Sequence, residues 1–209
     1  MMLPTHALIG LALALPLAAI APEFAGVALT AGLLGGILPD LDMYVGHRKT
    51  LHYPVYYSVL AVAVAPFAVL VPTTVTIAAT FLLLGAAVHS VMDIFGGGLE
   101  LRPWEATSSR AVYDHRRGRW LAPRRWIRYD GAPEDLLLSL AIAVPLLIAL
   151  DGVLRLVVGA ALVIAVVYTA VRRLLPTIAE VLVAGYLVRT LSDRLLAVLP
   201  ARYGPERGK

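Results

Sequence analysis

Six long apolar runs, separated by short polar islands, constrain the fold of this chain more than any other feature. The runs cover residues 7–20, 25–38, 55–71, 75–95, 136–150 and 153–171. A helix that spans a bilayer needs about 20 apolar residues, with about 17 as the lower limit. The third, fourth and sixth runs reach that limit, whereas the other three need help from their flanks or from neighbouring helices. The pattern predicts an all-α, polytopic transmembrane helical bundle.

The composition agrees with a membrane protein. The chain is 59% hydrophobic and 15% charged, against about 45–50% and about 25% in soluble proteins. It has no cysteine, which excludes disulfides, thiolate metal ligands and a cysteine nucleophile. A last stretch, 174–199, carries charges among its apolar residues and predicts either a seventh span or an interfacial helix. We therefore expect six spans, with the seventh left open, in a membrane-embedded domain (1–150) and a C-terminal region (151–209).

The distribution of arginine predicts the orientation in the membrane. Residues 96–134, here called the arginine-rich segment, hold eight arginines against five acidic residues. Basic loops of membrane proteins usually lie on the cytoplasmic side. The Asp151–Gly152 turn then falls outside and the Arg172–Arg173 pair inside, which agrees with the rule. The basic pI of about 9.6 is therefore better explained by orientation in the cell (inner) membrane than by nucleic-acid binding.

The same topology brings the polar islands to one face. Counting back from the arginine-rich segment, all four islands (residues 5–6, 39–42, 47–52 and 89–93) lie at the cytoplasmic side. Ionisable groups at a bilayer are costly and are usually kept for function. Imidazole and carboxylate groups are also ligands of zinc and manganese. The sequence predicts a cytoplasmic-face metal site, with zinc first and manganese as the alternative, built from His6, Asp40, Asp42, His47, His52, His89 and Asp93.

Each island can also be interpreted as a structural feature that involves no metal ion. His89 and Asp93 are four residues apart, so they share one helix face and can hold one metal, or they can simply pair at a helix end. Asp40 and Asp42 follow Pro39. One of them can bind a metal ion while the other orients a histidine, or each can bind a separate ion. Both can instead cap the next segment. Arg48 is a plausible phosphate contact, although basic residues at a cytoplasmic helix start are ordinary topology determinants.

Four motifs in order, THALIG, GGILPDLD, HRKTLH and HSVMD, resemble the YdjM-like family of membrane-bound metal-dependent hydrolases. The resemblance covers roughly residues 1–150 and matches all seven candidate ligands. It implies an integral membrane protein with a histidine and aspartate metal site, distantly similar to the zinc-dependent phospholipase C and single-strand nuclease superfamily. Lys49 stands where the family often has a small residue, and Tyr53 where it has serine, so the resemblance leaves the substrate open.

Together these features predict a hydrolase that uses metal-activated water on a phosphoester, in a membrane lipid or a lipid-linked substrate. His6, Asp40, His52, His89 and Asp93 are the strongest ligand candidates, Asp42 or another unligated carboxylate the candidate base, and Arg48 the candidate phosphate contact. Two alternatives remain open. A transporter would use the same groups as an ion pathway. A binding or scaffold protein would act through the arginine-rich segment, which suits anionic headgroups.

Overall fold

The helices begin and end where prolines and capping residues interrupt the apolar runs. The computed structural model describes residues 1–182, and these form α1 (Leu3–Ile20), α2 (Ala25–Ile37), α3 (Pro54–Leu70), α4 (Thr74–Met92), α5 (Pro133–Ala149), α6 (Gly152–Val171) and α7 (Leu175–Leu182). α3 and α5 each begin at a proline, which fits the first helical turn because no amide is needed there. α4 begins with a capping box between Thr73 and Thr76.

Four stretches are long and apolar enough to cross a membrane, namely Leu3–Ile20, Pro22–Asp42, Thr74–Phe95 and Gly152–Val171. The second exceeds its apolar run because short 3₁₀ turns extend α2 at both ends. α3 and α5 have 17 residues each. The helical class is therefore confirmed and a membrane protein is indicated, while six spans remain a prediction. The stretch predicted at 174–199 lies largely outside the described residues; α7 is its beginning.

The helices pack in a defined order around α1 and α2. α2 contacts α1 on one side and α4 on the other, α3 packs on α4, and α5 and α6 pack on α1 and on each other. The apolar core is formed by small and medium side chains such as Leu8, Leu11, Ala28 and Leu146. This order places the start of α1, the end of α2 and the end of α4 side by side.

The outer faces of the helices are apolar. Val62, Val69, Ile148 and Leu156 are each more than two thirds exposed, at 75%, 79%, 77% and 72%. Large apolar side chains exposed on several helices are unusual for a soluble protein. They are expected where lipid, and not water, surrounds the helices.

The arginine-rich segment is ordered and packs against the helix ends. It contains a 3₁₀ turn (Pro103–Glu105) and an antiparallel hairpin of β1 (Val112–Asp114) and β2 (Arg119–Leu121). Its last part is tied to the end of α4, because the amides of Arg124 and Ile127 donate to the carbonyls of Ile94 and Phe95 at 2.7 and 3.1 Å. The hairpin also contacts the loop of His47 and His52, because the Tyr113 amide donates to the Arg48 carbonyl at 3.0 Å.

Candidate metal centre

Four of the seven predicted ligands come together in one cluster. Asp40 lies in the 3₁₀ turn after α2, His52 in the loop before α3, and His89 and Asp93 at the end of α4. One ligand atom from each lies within 4.8 Å of all the others. His52, His89 and Asp93 are buried, while the Asp40 side chain keeps 11% of its surface exposed. Residues from three separate polar islands therefore form one site, as the topology predicted.

Two histidine nitrogens face two carboxylates in this cluster. His52 Nε2 lies 3.3 Å from Asp93 Oδ2, and His89 Nε2 lies 3.4 Å from Asp40 Oδ1. Both nitrogens are buried and have no hydrogen-bond partner within the part of the chain that the structure describes. A buried polar atom without a partner is uncommon and calls for an explanation. Two imidazoles and two carboxylates around a common point fit a divalent ion, zinc in particular.

The Nδ1 atoms of His52 and His89 each bond to an oxygen acceptor. His89 Nδ1 donates to the carbonyl of Gly36 at 2.6 Å, and because a carbonyl can only accept, Nδ1 carries the proton and Nε2 is left basic. His52 Nδ1 bonds to Asp42 Oδ2 at 2.9 Å in the same sense. Hydrogen bonds of this kind fix the tautomer and the ring orientation of metal-ligating histidines. Both rings are thus held with Nε2 towards the cluster.

Asp42 is placed to orient the rings of His52 and His47. Its Oδ1 accepts from His47 Nδ1 at 3.0 Å and from the Arg48 amide at 3.2 Å. Its Oδ2 accepts from the Leu51 amide at 3.0 Å as well as from His52. A carboxylate offers about four acceptor positions, so these four donors use them all. Of the roles that the sequence left open to Asp42, the structure favours orientation over ligation or proton transfer.

We expect Asp42→Asn to weaken zinc binding by roughly 10–100-fold, the usual effect of losing such an orienting partner. The amide NH₂ would replace one of the two oxygens and present two N–H groups where two donors now point. Competition with a chromophoric chelator measures the affinity. Asp114→Asn is the matched control, because Asp114 is also a buried carboxylate that accepts backbone amides but lies outside the cluster. Equal zinc affinity in Asp42→Asn and wild type would contradict the orienting role.

His6 lies beside the four-residue group. Its ring stacks on His89 with 3.7 Å between ring centroids, and its Nε2 is 3.1 Å from Asp93 Oδ1. The backbone nitrogen of Met1 contacts the same oxygen at 2.6 Å. Asp93 therefore contacts His6 and Met1 through Oδ1, while its Oδ2 faces His52 of the cluster. The sequence prediction that His6 is a ligand stays a prediction.

His47 and Arg48 border the cluster on the loop side. His47 Nδ1 is 4.0 Å from Asp40 Oδ1, so its hydrogen bond to Asp42 is the closer contact, and the structure does not bring it into the four-residue group. Arg48 is buried; its Nε lies 3.3 Å from Asp93 Oδ2, and a terminal nitrogen donates to the Gly97 carbonyl at 2.8 Å. Arg48 thus neutralises part of the negative charge of the cluster.

The carboxylates favour positive charge at this loop. Burial lowers the pKa of His52, but the hydrogen bond to Asp42 and the negative charges of Asp93 and Asp42 outweigh burial, and the pKa rises to about 9. For His47, burial dominates over its hydrogen bond to Asp42, so the pKa falls below the usual value. The two histidines of one loop therefore differ in the direction of their pKa shift: the carboxylates favour the charged form of His52, whereas burial disfavours the charged form of His47.

A cavity of ≈540 Å³ opens beside the cluster. Asp40, His47 and Arg48 line one end, and apolar residues of α1, α2 and α6, including Leu33 and Ile164, line the rest. Cavities of about 300–1,000 Å³ are typical of small-molecule sites. Of the four clustered residues Asp40 lines this cavity, so the cavity meets the cluster at Asp40.

Glycines allow the helices to approach closely enough to form the cluster. A Cβ at Gly36 would overlap the carbonyl of His6, and a Cβ at Gly10 would overlap the carbonyl of Gly32. Reading the sequence for polar residues missed these positions. The spacing of four residues between Gly32 and Gly36, within an apolar run, is a known signal of close helix packing in membranes and could have identified them.

The two positions that depart from the family pattern lie outside the cluster. The Lys49 carbonyl bonds to His115 Nε2 at 2.6 Å, and the Tyr53 ring packs against the same histidine with 4.4 Å between centroids. His115, which was not among the predicted ligands, therefore joins the arginine-rich segment to the loop of His47 and His52.

No protein-family model, no curated protein and no solved structure matches this chain. The resemblance to the YdjM-like family therefore rests on the four motifs alone.

Proposed function

We propose that this chain is an integral membrane hydrolase that uses a divalent metal ion to cleave phosphoester bonds in a lipid or lipid-linked substrate. One observation carries the proposal: a buried cluster with metal-ligand geometry adjoins a cavity that is polar at the cluster and apolar along three helices. A site of this composition suits a molecule with a polar head and an apolar tail. Zinc fits the two imidazoles best, with manganese as the alternative.

Asp40, His52, His89 and Asp93 would hold the ion, which would supply Lewis acidity and make a nearby water more acidic. Arg48 lines the cavity and has donors beyond the two that contact Asp93 and Gly97, so it can bind a phosphoryl oxygen. His47 also lines the cavity, and its Nδ1 is engaged with Asp42. That bond leaves His47 Nε2 as the atom that can accept a proton from the attacking water.

The proposed location is the cell membrane, with six spans and the metal centre facing the cytoplasm. The charge of the arginine-rich segment supports this orientation. The segment packs over the cluster side of the helices, so both features belong to the same face. A site at that face meets lipid headgroups by lateral diffusion within the membrane.

The alternatives have less support. A transporter pathway needs polar groups at mid-membrane depth, whereas the buried ionisable side chains of residues 1–182 lie in loops or at helix ends. A scaffold acting through the arginine-rich segment leaves the cluster unexplained. Several of its arginines are also engaged within the chain, for example Arg128 with Glu134 at 2.6 Å and Arg102 with Glu180 at 2.8 Å.

Turnover of phospholipids by the metal-loaded protein tests the proposal. We expect the protein in mixed micelles to hydrolyse at least one of phosphatidic acid, phosphatidylglycerol and phosphatidylethanolamine, with products resolved by chromatography. His52→Ala is expected to lower the rate at least ~10³-fold, since losing a ligand removes several kcal/mol of transition-state stabilisation. His115→Ala, a histidine outside the cluster, should keep the rate. A protein that binds metal but turns over none of the panel would contradict a phospholipid substrate.

A further inference from the structure

The turn between β1 and β2 carries a group of basic side chains that the proposed reaction does not use. Arg116, Arg117 and Arg119 are all exposed at this turn. Lys49 is also exposed and adjoins the hairpin, with its Nζ 4.6 Å from the centre of the Tyr113 ring. These three arginines and Lys49 are here called the basic turn. Like charges gathered on one surface favour an anionic partner.

One acidic side chain fixes the shape of the turn. Asp114 Oδ1 accepts from the amides of Arg116 and Arg117 at 3.0 and 3.3 Å, and the Asp114 side chain is only 2% exposed. Gly118 has a φ of +65°, a left-handed conformation that glycine adopts without strain. Asp114 is the one acidic residue of the hairpin sequence 112–121. A single buried carboxylate therefore stands against four exposed cations, and the basic turn keeps a net positive charge.

The hairpin lies at the start of α3, where the exposed apolar face of that helix begins. The His115 ring packs on Tyr53, the residue before α3, and Tyr53 packs edge-on against Tyr57 with 5.5 Å between centroids. From Tyr56 onwards the outer face of α3 exposes large side chains such as Val59. Tyrosines are enriched where helices enter the headgroup layer. In a membrane, the basic turn that adjoins His115 therefore lies at the level of the headgroups.

Exposed apolar side chains near Lys49 indicate the same depth. Leu41, Tyr44 and Val45 are 68%, 71% and 69% exposed. The Thr50 hydroxyl donates to the Val45 carbonyl at 2.5 Å, which ties their loop to the residue after Lys49. Basic and apolar side chains exposed together are typical of surfaces that bind at a membrane interface. Such a surface fits lipid better than nucleic acid, which offers phosphates without an apolar layer beneath them.

We propose that the basic turn binds the phosphate groups of anionic phospholipids in the leaflet beside it. Arginine can donate to two phosphate oxygens at once, and an anionic leaflet attracts each basic side chain near it. The contact holds the arginine-rich segment against the membrane and enriches anionic lipid around the protein. It needs neither the metal ion nor the proposed reaction, so it is tested independently of both.

Spin-labelled lipids test the proposal on the full chain, freed of metal with chelator and reconstituted in phosphatidylcholine bilayers. Labelled phosphatidylglycerol and labelled phosphatidylcholine with identical acyl chains are added in trace amounts to separate samples. Electron paramagnetic resonance measures the fraction of each lipid that the protein immobilises. We expect about a fivefold preference for phosphatidylglycerol at low salt, the scale of one basic side chain at a charged surface. Salt at about 1 M should abolish the preference, because it screens exposed charges.

Two triple variants locate the lipid contact. Replacing the three arginines of the turn by glutamine (R116Q/R117Q/R119Q) should leave the two lipids equally immobilised, and substitutions at exposed positions cost little stability. The matched control (R102Q/R128Q/R155Q) removes the same charge from arginines that pair with acidic side chains elsewhere in the chain, at 2.8, 2.6 and 3.5 Å. The control should keep the preference for phosphatidylglycerol.

Equal immobilisation of the two lipids by the wild type at low salt would refute the proposal. A preference that survives in the turn variant would refute the role of these arginines, and its loss in the control would assign it to net charge alone. The wild type and the turn variant are also titrated in detergent with a fluorescent single-stranded oligonucleotide. Oligonucleotide binding that the turn variant loses, in a protein without lipid preference, would replace lipid by nucleic acid as the partner.

Discussion

The His89→Ala/Asp93→Ala variant is expected to lose stoichiometric metal and all metal-dependent turnover. The substitutions remove two of the four side chains whose ligand atoms lie within 4.8 Å of one another. Asp93 also faces His52, His6 and Arg48, so its loss removes the charge that balances three other groups. Elemental analysis of detergent-purified protein, wild type beside variant, measures zinc and manganese directly.

Two controls make this result interpretable. His115→Ala removes a histidine that is neither in the cluster nor a candidate ligand, and it should keep the full metal content. Asp40→Asn changes the least buried of the four ligands, at 11% side-chain exposure, so it should lower the metal content with little effect on folding. Wild-type amounts of metal in the double variant would show that the ion binds elsewhere. An absence of metal in the wild type after reconstitution with several divalent ions would move support to the arginine-rich segment and a binding role.

Gly36→Ala is expected to destabilise the protein by about 2–3 kcal/mol, the usual cost of forcing an extra group into a packed interior. Its Cβ would overlap the carbonyl of His6, so α1 and α2 would have to separate. The Gly36 carbonyl also holds His89 Nδ1, and the same shift would disturb His89, a candidate metal ligand. We therefore expect the melting temperature to fall by roughly 5–10 °C and the zinc affinity to fall with it.

Gly26→Ala is the matched control on the same helix. A Cβ at Gly26 would have no atom within 4 Å, and alanine is the better helix former by about 1 kcal/mol. Its melting temperature should therefore equal or exceed that of the wild type. A Gly36→Ala protein as stable as Gly26→Ala would mean that α1 and α2 do not approach as closely as the structure shows. Thermal unfolding of both variants in one detergent makes the comparison.

The sequence predicted where the candidate site lies, but it did not predict the role of each residue in it. Proline and polar positions predicted the helix boundaries closely, and the topology correctly brought the islands of Asp40, His52 and His89 together. Which residues bind the metal and which orient the ligands was not predictable from the sequence. Whether Asp42 ligates or orients depends on which donors surround its oxygens, and those include two backbone amides whose positions the sequence does not specify.

The sequence by itself determined the helical class, the apolar character of the long helices and the meeting of three polar islands at one end of them. These follow from hydropathy and charge, which act locally along the chain. Only the tertiary structure decided which side chains share the cluster and which residues orient them. Such distinctions depend on differences of an ångström or two between groups far apart in the sequence. Those distances are set by how closely the helices pack, which here depends on glycines such as Gly36.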